Sequence, residues 1–172
     1  MKSRLELDER SYFDKPVDEN HRQATKLLNA AISYARLILR RYGELAPCGF
    51  GIDREGQVAR QTIEIPRLPR DPQKLWKLLA EHMAKRVGRG QLIGLAMVSN
   101  VTLNENSAEG YSDAVIVAIE LESGFATEVT VPYRIYGGQL HNLLPRRIAL
   151  GKTEAEEMES RIFRARRTEN LP

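Results

Sequence analysis

The sequence predicts an α+β fold with a five-stranded antiparallel sheet and the element order α-β-β-α-β-β-β-α. Two long segments carry apolar residues at three- and four-residue spacing, which is typical of amphipathic helices. Five shorter segments alternate apolar and polar residues or are apolar throughout, which is typical of strands. The chain has 172 residues, of which 42% are hydrophobic, so it is long enough for one domain with a sizeable core.

The first helix is predicted over 19–42, with Asp18 or Asn20 as its cap and Gly43 as its end. A β-hairpin follows, with its turn at 53–56. Two residues without a β-carbon share one face of its first strand, and these are Gly49 and Gly51. A packed helix is the usual occupant of such a space, and a ligand is the alternative.

The second helix is predicted over 72–88, because Asp71 can cap it and Pro72 suits its first turn. Three strands then follow, at 91–103, 111–122 and 125–136. The last helix is predicted from Thr153, whose spacing to Glu156 fits a capping box.

A two-residue turn at Ser123 and Gly124 sets the predicted register of the last two strands. The resulting cross-strand pairs are Ile116 with Val131, Ala118 with Val129, and Asp113 with Arg134. In this register Glu120 and Glu128 point to opposite faces, so they form no acid–base pair. The strand at 111–122 is apolar on both faces, and helices or another chain must therefore cover it.

The domain organisation follows from these elements. An N-terminal arm is expected at 1–17, a single α+β domain at 18–165, and a mobile tail at 166–172. No segment resembles a signal peptide or a membrane span, so we expect a cytoplasmic protein that does not bind membranes.

The element order resembles that of the profilin-like and roadblock-type folds, which implies the sheet order 2-1-5-4-3. A second resemblance, to small uncharacterised bacterial α+β proteins, rests on three segments of the chain. They are Phe50-Gly51-Ile52-Asp53 with Gly56, Asp113-Ala114 with Glu120, and Gly124, Ala126 and Pro132-Tyr133. This resemblance implies a fold and no particular activity.

The net charge of +3 is a weak indication of an anionic partner. Basic residues cluster at Arg40-Arg41, at Lys85-Arg86 with Arg89, and at Arg146-Arg147. Two of these clusters end predicted helices, where cations complement the helix dipole. Because no basic face with interleaved aromatic residues is visible in the sequence, nucleic-acid binding is disfavoured.

The sequence holds no catalytic or metal-binding motif. The three histidines, His21, His82 and His141, have no further metal-ligand side chain at the spacing that a metal site needs. Cys48 is predicted to be a buried, inert thiol. We therefore predict no cofactor and no metal, and we favour a protein without enzymatic activity.

The favoured hypothesis is a protein–protein interaction module that forms a homo-oligomer, such as a homodimer. The alternative is a small-molecule-binding or enzymatic domain with an acidic ligand, and a third option is a weak nucleic-acid binder. The candidate ligand or interface corner consists of Gly49, Gly51, Asp113, Tyr133 and Arg134. In this corner the arginine would attract the acidic group of a ligand.

Overall fold

The computed structural model describes residues 18–103, 110–138 and 145–169. These residues form three helices and seven strands, which confirms the α+β class with an antiparallel sheet. The predicted number of five strands was wrong, because residues 147–150 and 154–157 add two further strands. The helices are α1 (Glu19–Tyr42), α2 (Pro72–Gly88) and α3 (Ile162–Glu169). The strands are β1 (Cys48–Ile52), β2 (Val58–Gln61), β3 (Gly94–Thr102), β4 (Asp113–Leu121), β5 (Ala126–Tyr136), β6 (Arg147–Leu150) and β7 (Glu154–Glu157). The expected arm at 1–17 lies outside the described residues.

The sheet order is β2-β1-β3-β4-β5-β6, and β7 also pairs with β5. The predicted order was wrong, because β1 pairs with β3 and not with the last long strand. The outer edge of β5 is already occupied by β6 next to Tyr133 and by β7 next to Thr130. The first hairpin adds instead to the edge of β3.

The segment after Thr153 is a strand, so the helix predicted to begin there was wrong. Residues of β7 pair with β5 from Thr127 to Thr130. The backbone hydrogen bonds of this pairing override the local capping-box pattern, as tertiary context often does. The helix begins nine residues later than expected, at Ile162.

The turn between β4 and β5 contains three residues, not two. Leu121 donates its N–H to the carbonyl of Phe125 at 2.9 Å, and Gly124 has a φ of 99°. This geometry is that of a three-residue hairpin loop with a bulge at glycine. The register is shifted by one residue from the predicted one, and the observed pairs include Val115 with Val131, Val117 with Val129, and Asp113 with Tyr133.

Glu120 and Glu128 share one face of the sheet, because their partners are Ala126 and Ala118. The prediction that they point to opposite faces was wrong. Glu120 is buried and Glu128 is exposed.

Helices cover the sheet on both faces. The buried stripe of α1 packs on one face, with Leu27 and Leu39 among its fully buried side chains. On the other face, Met83 of α2 and Phe163 of α3 pack against Met97 of β3. Both apolar faces of β4 thus have partners within the same chain, which removes one motive for the predicted homo-oligomer.

The boundaries of α1 and α2 agree with the predicted 19–42 and 72–88. Asp18 accepts a hydrogen bond from the N–H of Asn20, and Asp71 accepts one from the N–H of Gln73. Among the described segments, no helix is both long enough and apolar enough to cross a lipid bilayer.

Candidate functional site

Gly49 and Gly51 lie on the face of β1 that packs against α2. A β-carbon at Gly49 would lie 3.3 Å from Leu79 Cδ1, and one at Gly51 would lie 2.7 Å from Leu92 Cδ2. The two leucine side chains therefore fill the space that the glycines leave. The structure separates these glycines from the rest of the predicted corner.

Asp113 and Tyr133 are cross-strand partners on the face that α1 covers. Tyr133 is only 3% exposed, and its hydroxyl donates to Asn100 Oδ1 at 2.9 Å. Burial raises the pKa of Tyr133, the negative charge of Asp113 raises it further, and the hydrogen bond to Asn100 lowers it. Tyr133 is thus a core residue with a satisfied hydroxyl.

Arg134 points to the opposite face, so the predicted cross-strand pair of Asp113 with Arg134 was wrong. Asp113 instead accepts a hydrogen bond from Ser112 Oγ at 2.7 Å and one from Thr102 Oγ1 at 3.5 Å. The one-residue change of register is the cause, because successive side chains of a strand point to opposite faces.

The guanidinium of Arg134 lies beside two tyrosine rings. Its central carbon is 5.5 Å from the ring centroid of Tyr111 and 5.9 Å from that of Tyr136. Nη1 donates to the Tyr136 hydroxyl at 3.5 Å, a long hydrogen bond. A β-carbon at Gly110 would lie 2.7 Å from Nη2, so the backbone of Gly110 packs directly against the guanidinium.

Arg134 is half-buried, and no described carboxylate lies within ion-pairing distance of it. A guanidinium has five donor hydrogens, and its flat shape suits two parallel bonds to a carboxylate or phosphate. Cation–π contacts with Tyr111 and Tyr136 hold the arginine in place.

Two of the basic clusters meet where the end of α1 contacts the segment before β6. Nη1 of Arg146 donates to the carbonyl of Arg41 at 3.0 Å, which brings Arg40-Arg41 and Arg146-Arg147 together across 105 residues of sequence. Arg147 is the register partner of Tyr136, and it lies on the same face as Arg134. We call the group that surrounds the guanidinium of Arg134 the arginine corner: Arg134, Tyr111, Tyr136 and Arg147.

Sequence reasoning missed most of this site. Arg134 and Tyr136 alternate in one strand, and this spacing places both on one face. The contribution of Tyr111 follows only from the observed register and loop. The meeting of α1 with β6 has no signal in the sequence, because it depends on the sheet order.

The described residues contain no group of three side chains suited to hold a metal ion. His82 lies on α2, and partial burial lowers its pKa. The neighbouring cations Arg86 and Lys85 lower this pKa further, whereas Glu64 raises it. His141 lies outside the described residues.

Cys48 is buried, and burial raises the pKa of its thiol from 9.0 to about 12, although Arg60 acts in the opposite direction. At pH 8 only about one native molecule in ten thousand then carries the thiolate. We expect native protein to resist a thiol reagent such as DTNB at pH 8, and protein unfolded in guanidinium chloride to react at the rate of a free cysteine. Rapid labelling of native protein would contradict the assignment of Cys48 as inert.

The same shift has a consequence for stability. Because the pKa of Cys48 is higher in the folded protein than in the unfolded chain, the protonated thiol stabilises the fold. This contribution to the free energy of unfolding is complete below pH 9 and is lost as the pH rises toward 12. The pKa of Tyr133 is also raised, so deprotonation of its hydroxyl at high pH likewise lowers the stability of the folded protein.

Comparison with known proteins found no matching family model, no matching curated protein and no matching solved structure. The class of the protein is therefore defined by its own fold and site. It is an α+β protein with a seven-stranded antiparallel sheet, and it carries a tyrosine-flanked arginine at one corner of the sheet.

Proposed function

We propose that this protein is a non-catalytic binding module that recognises an anionic group at Arg134. The observation that carries the proposal is the guanidinium placed between Tyr111 and Tyr136 without a described carboxylate partner. The proposal joins the interaction module and the acidic ligand, which the sequence left as alternatives.

The chemistry of the corner supports binding and not catalysis. Arginine and tyrosine side chains can hold and stack against a ligand. Arg147, which lies on the same face of the sheet, raises the local concentration of anions around Arg134.

A homo-oligomer stays a prediction. Pairing through the outer edge of β7 is opposed by the exposed Glu154, Glu156 and Glu157, because a second copy would bring like charges together. A cytoplasmic location also belongs to the proposal, and the single cysteine of the chain is compatible with a reducing compartment.

Titration with inorganic phosphate, followed by NMR of the arginine side-chain and backbone amides, tests the site. We expect saturable shifts at Arg134 and Tyr136. Replacing Arg134 with glutamine removes the positive charge and the two parallel N–H donors of the guanidinium, so we expect phosphate binding to weaken by about tenfold or more. Arg134→Lys keeps the positive charge but lacks the two parallel donors, and it should bind phosphate with intermediate affinity.

Arg60→Gln is the matched control, because Arg60 also lies over a tyrosine ring, that of Tyr34, at 5.3 Å. We expect this variant to bind phosphate as the unaltered protein does. The proposal is wrong if Arg134→Gln and Arg60→Gln bind phosphate equally well.

A further inference from the structure

We infer that a cavity between α1, α2 and the open end of the first hairpin binds a small monocarboxylate, whose apolar body lies inside while its carboxylate contacts Arg60. This second site goes beyond the proposed function. Arg60 belongs to β2 and Arg134 to β5, and three strands separate these two in the sheet order. The residues that line the cavity include no member of the arginine corner.

The cavity has a volume of about 180 Å³, and most of the side chains that line it are apolar. Ile38 of α1, Leu45 before β1, and Leu75 and Leu79 of α2 form parts of its walls. A dry apolar cavity of about 150 Å³ is large enough to bind benzene. The volume here therefore suits an apolar group of about six to eight carbon atoms.

One positive charge lies where the cavity meets the solvent. Arg60 is exposed, and of the described residues that line the cavity it is the one that carries a charge. Its central carbon lies 5.3 Å from the ring centroid of Tyr34, which also lines the cavity. The Tyr34 ring in turn packs edge-on against the buried ring of Phe50, with 5.7 Å between the centroids. The guanidinium is thus held by a ring that is anchored in the core.

The buried polar side chains of the cavity are neutral or already paired. Gln61 is 5% exposed; its Nε2 donates to the carbonyl of Ala59 at 2.9 Å, and its Oε1 accepts from Arg86. Burial raises the pKa of Cys48, so its thiol is an uncharged part of the wall at neutral pH. A polar group placed deep in the cavity would lose its hydrogen bonds with water without replacement, whereas an apolar group loses none.

The single charge of the cavity favours a carboxylate as the head group of the ligand. A guanidinium can bind a carboxylate through two parallel N–H donors. A phosphate monoester carries a charge of about −1.5 to −2 at pH 7, which one arginine does not balance. Within the part of the chain that the structure describes, no carboxylate forms an ion pair with Arg60. An external carboxylate therefore has no internal competitor at this guanidinium.

NMR titration with benzoate tests the inference, because its ring suits the size of the cavity and its carboxylate suits the charge of Arg60. The methyl groups of Ile38, Leu75 and Leu79 report whether the cavity is occupied, and we expect their signals to shift saturably. Benzamide has the same shape without the charge, and it should bind about three- to tenfold more weakly. Acetate has the charge without the ring, and it should leave these signals unshifted. Absence of saturable shifts with benzoate, or equal affinity for benzoate and benzamide, would overturn the inference.

The variant Arg60→Gln tests the role of the charge. It should lower the affinity for benzoate to that for benzamide, and it should leave the affinity for benzamide unchanged, which shows that the cavity is intact. Arg67→Gln is the matched control, because Arg67 is an exposed arginine of the nearby segment and does not line the cavity. It should bind both compounds as the unaltered protein does. Equal losses for benzoate and benzamide in Arg60→Gln would refute an ion pair with the ligand.

The variant Leu68→Ser tests the apolar wall without disturbing the core. Leu68 lines the cavity although it is 51% exposed, so its loss should weaken benzoate and benzamide by the same factor, about two- to fivefold. Ile65→Ser is the matched control, since Ile65 is 38% exposed on the same segment and lies outside the cavity. Equal effects of Leu68→Ser and Ile65→Ser would contradict binding inside the cavity.

The two anion sites can be tested separately. Inorganic phosphate has no apolar body, so it should not shift the methyl signals of Ile38, Leu75 and Leu79. Arg134→Gln should bind benzoate in the cavity as the unaltered protein does. Failure of phosphate to bind at Arg134 would overturn the proposed function and leave the cavity site standing, whereas loss of the methyl shifts in Arg134→Gln would overturn the cavity as an independent site.

Discussion

Replacing Glu120 with alanine is expected to lower the free energy of unfolding by about 3 to 5 kcal/mol, because it leaves several donors at the start of α3 without their acceptor. One carboxylate oxygen, Oε2, accepts all of their hydrogen bonds. It receives Ser160 Oγ at 2.8 Å and the backbone N–H groups of Arg161 at 3.0 Å, Ile162 at 2.9 Å and Phe163 at 3.3 Å.

The cost is large because α3 cannot stand alone. An isolated helix of eight residues is unstable in water, so α3 depends on its docking to the sheet. Glu120 is 4% exposed and its charge meets the positive end of the helix dipole, while Phe163 is 2% exposed against α2. Without the carboxylate, we expect α3 to detach and Phe163 to leave the core.

Chemical denaturation gives the stability change, and hydrogen exchange at residues 160–165 shows whether α3 detaches. Glu120→Gln keeps an acceptor oxygen but loses the charge, so it should cost about half as much as alanine. Glu128→Ala is the matched control, because Glu128 lies on the same face and is exposed; it should change the stability by less than about 0.5 kcal/mol. Unchanged exchange in Glu120→Ala would contradict this role of Glu120.

Glu120 also shows why part of the fold is not visible in the sequence. Thr153 and Glu156 have the spacing of a capping box, and this local pattern predicts a helix that does not form. The cap of the real helix is supplied from β4, which lies about forty residues earlier in the chain. A side chain that caps a helix across the fold leaves no local signal.

Elements with local signals were predicted well. Both long helices have an aspartate cap within two residues of the donor it serves, at Asp18 and at Asp71. The register of β4 and β5 was wrong because two- and three-residue turns both fit a glycine at 124. One residue of difference moved Arg134 to the opposite face from Asp113, and so it changed the candidate site.

The second large effect is expected at the start of β3, where Gly94 leaves no room for a side chain. A β-carbon there would lie 2.6 Å from Leu121 Cδ2, 2.7 Å from Ile52 Cγ2 and 3.4 Å from Leu27 Cδ1. Ile52 and Leu121 are the register partners of Gly94 on its two sides. Gly94→Ala should therefore destabilise the protein by about 1 to 3 kcal/mol.

Gly88→Ala is the control for this substitution. Gly88 is the last residue of α2, and nothing lies within 4 Å of the position that its β-carbon would occupy. A methyl group there meets no neighbour, and alanine has the higher helix propensity, so we expect a change between zero and about 1 kcal/mol of stabilisation. The steric explanation fails if Gly94→Ala and Gly88→Ala have the same effect.

A double-mutant cycle separates steric conflict from other costs of a methyl group in the strand. Leu121→Ala alone removes a fully buried side chain and should cost about 2 to 5 kcal/mol. It also removes the Cδ2 atom that conflicts most with the new β-carbon, so the methyl group of Gly94→Ala would occupy part of the cavity. We expect the double variant to lose about 1 to 2 kcal/mol less than the two single losses together. Additive losses would place the cost of Gly94→Ala at Ile52, since Cγ2 of that residue remains in the double variant.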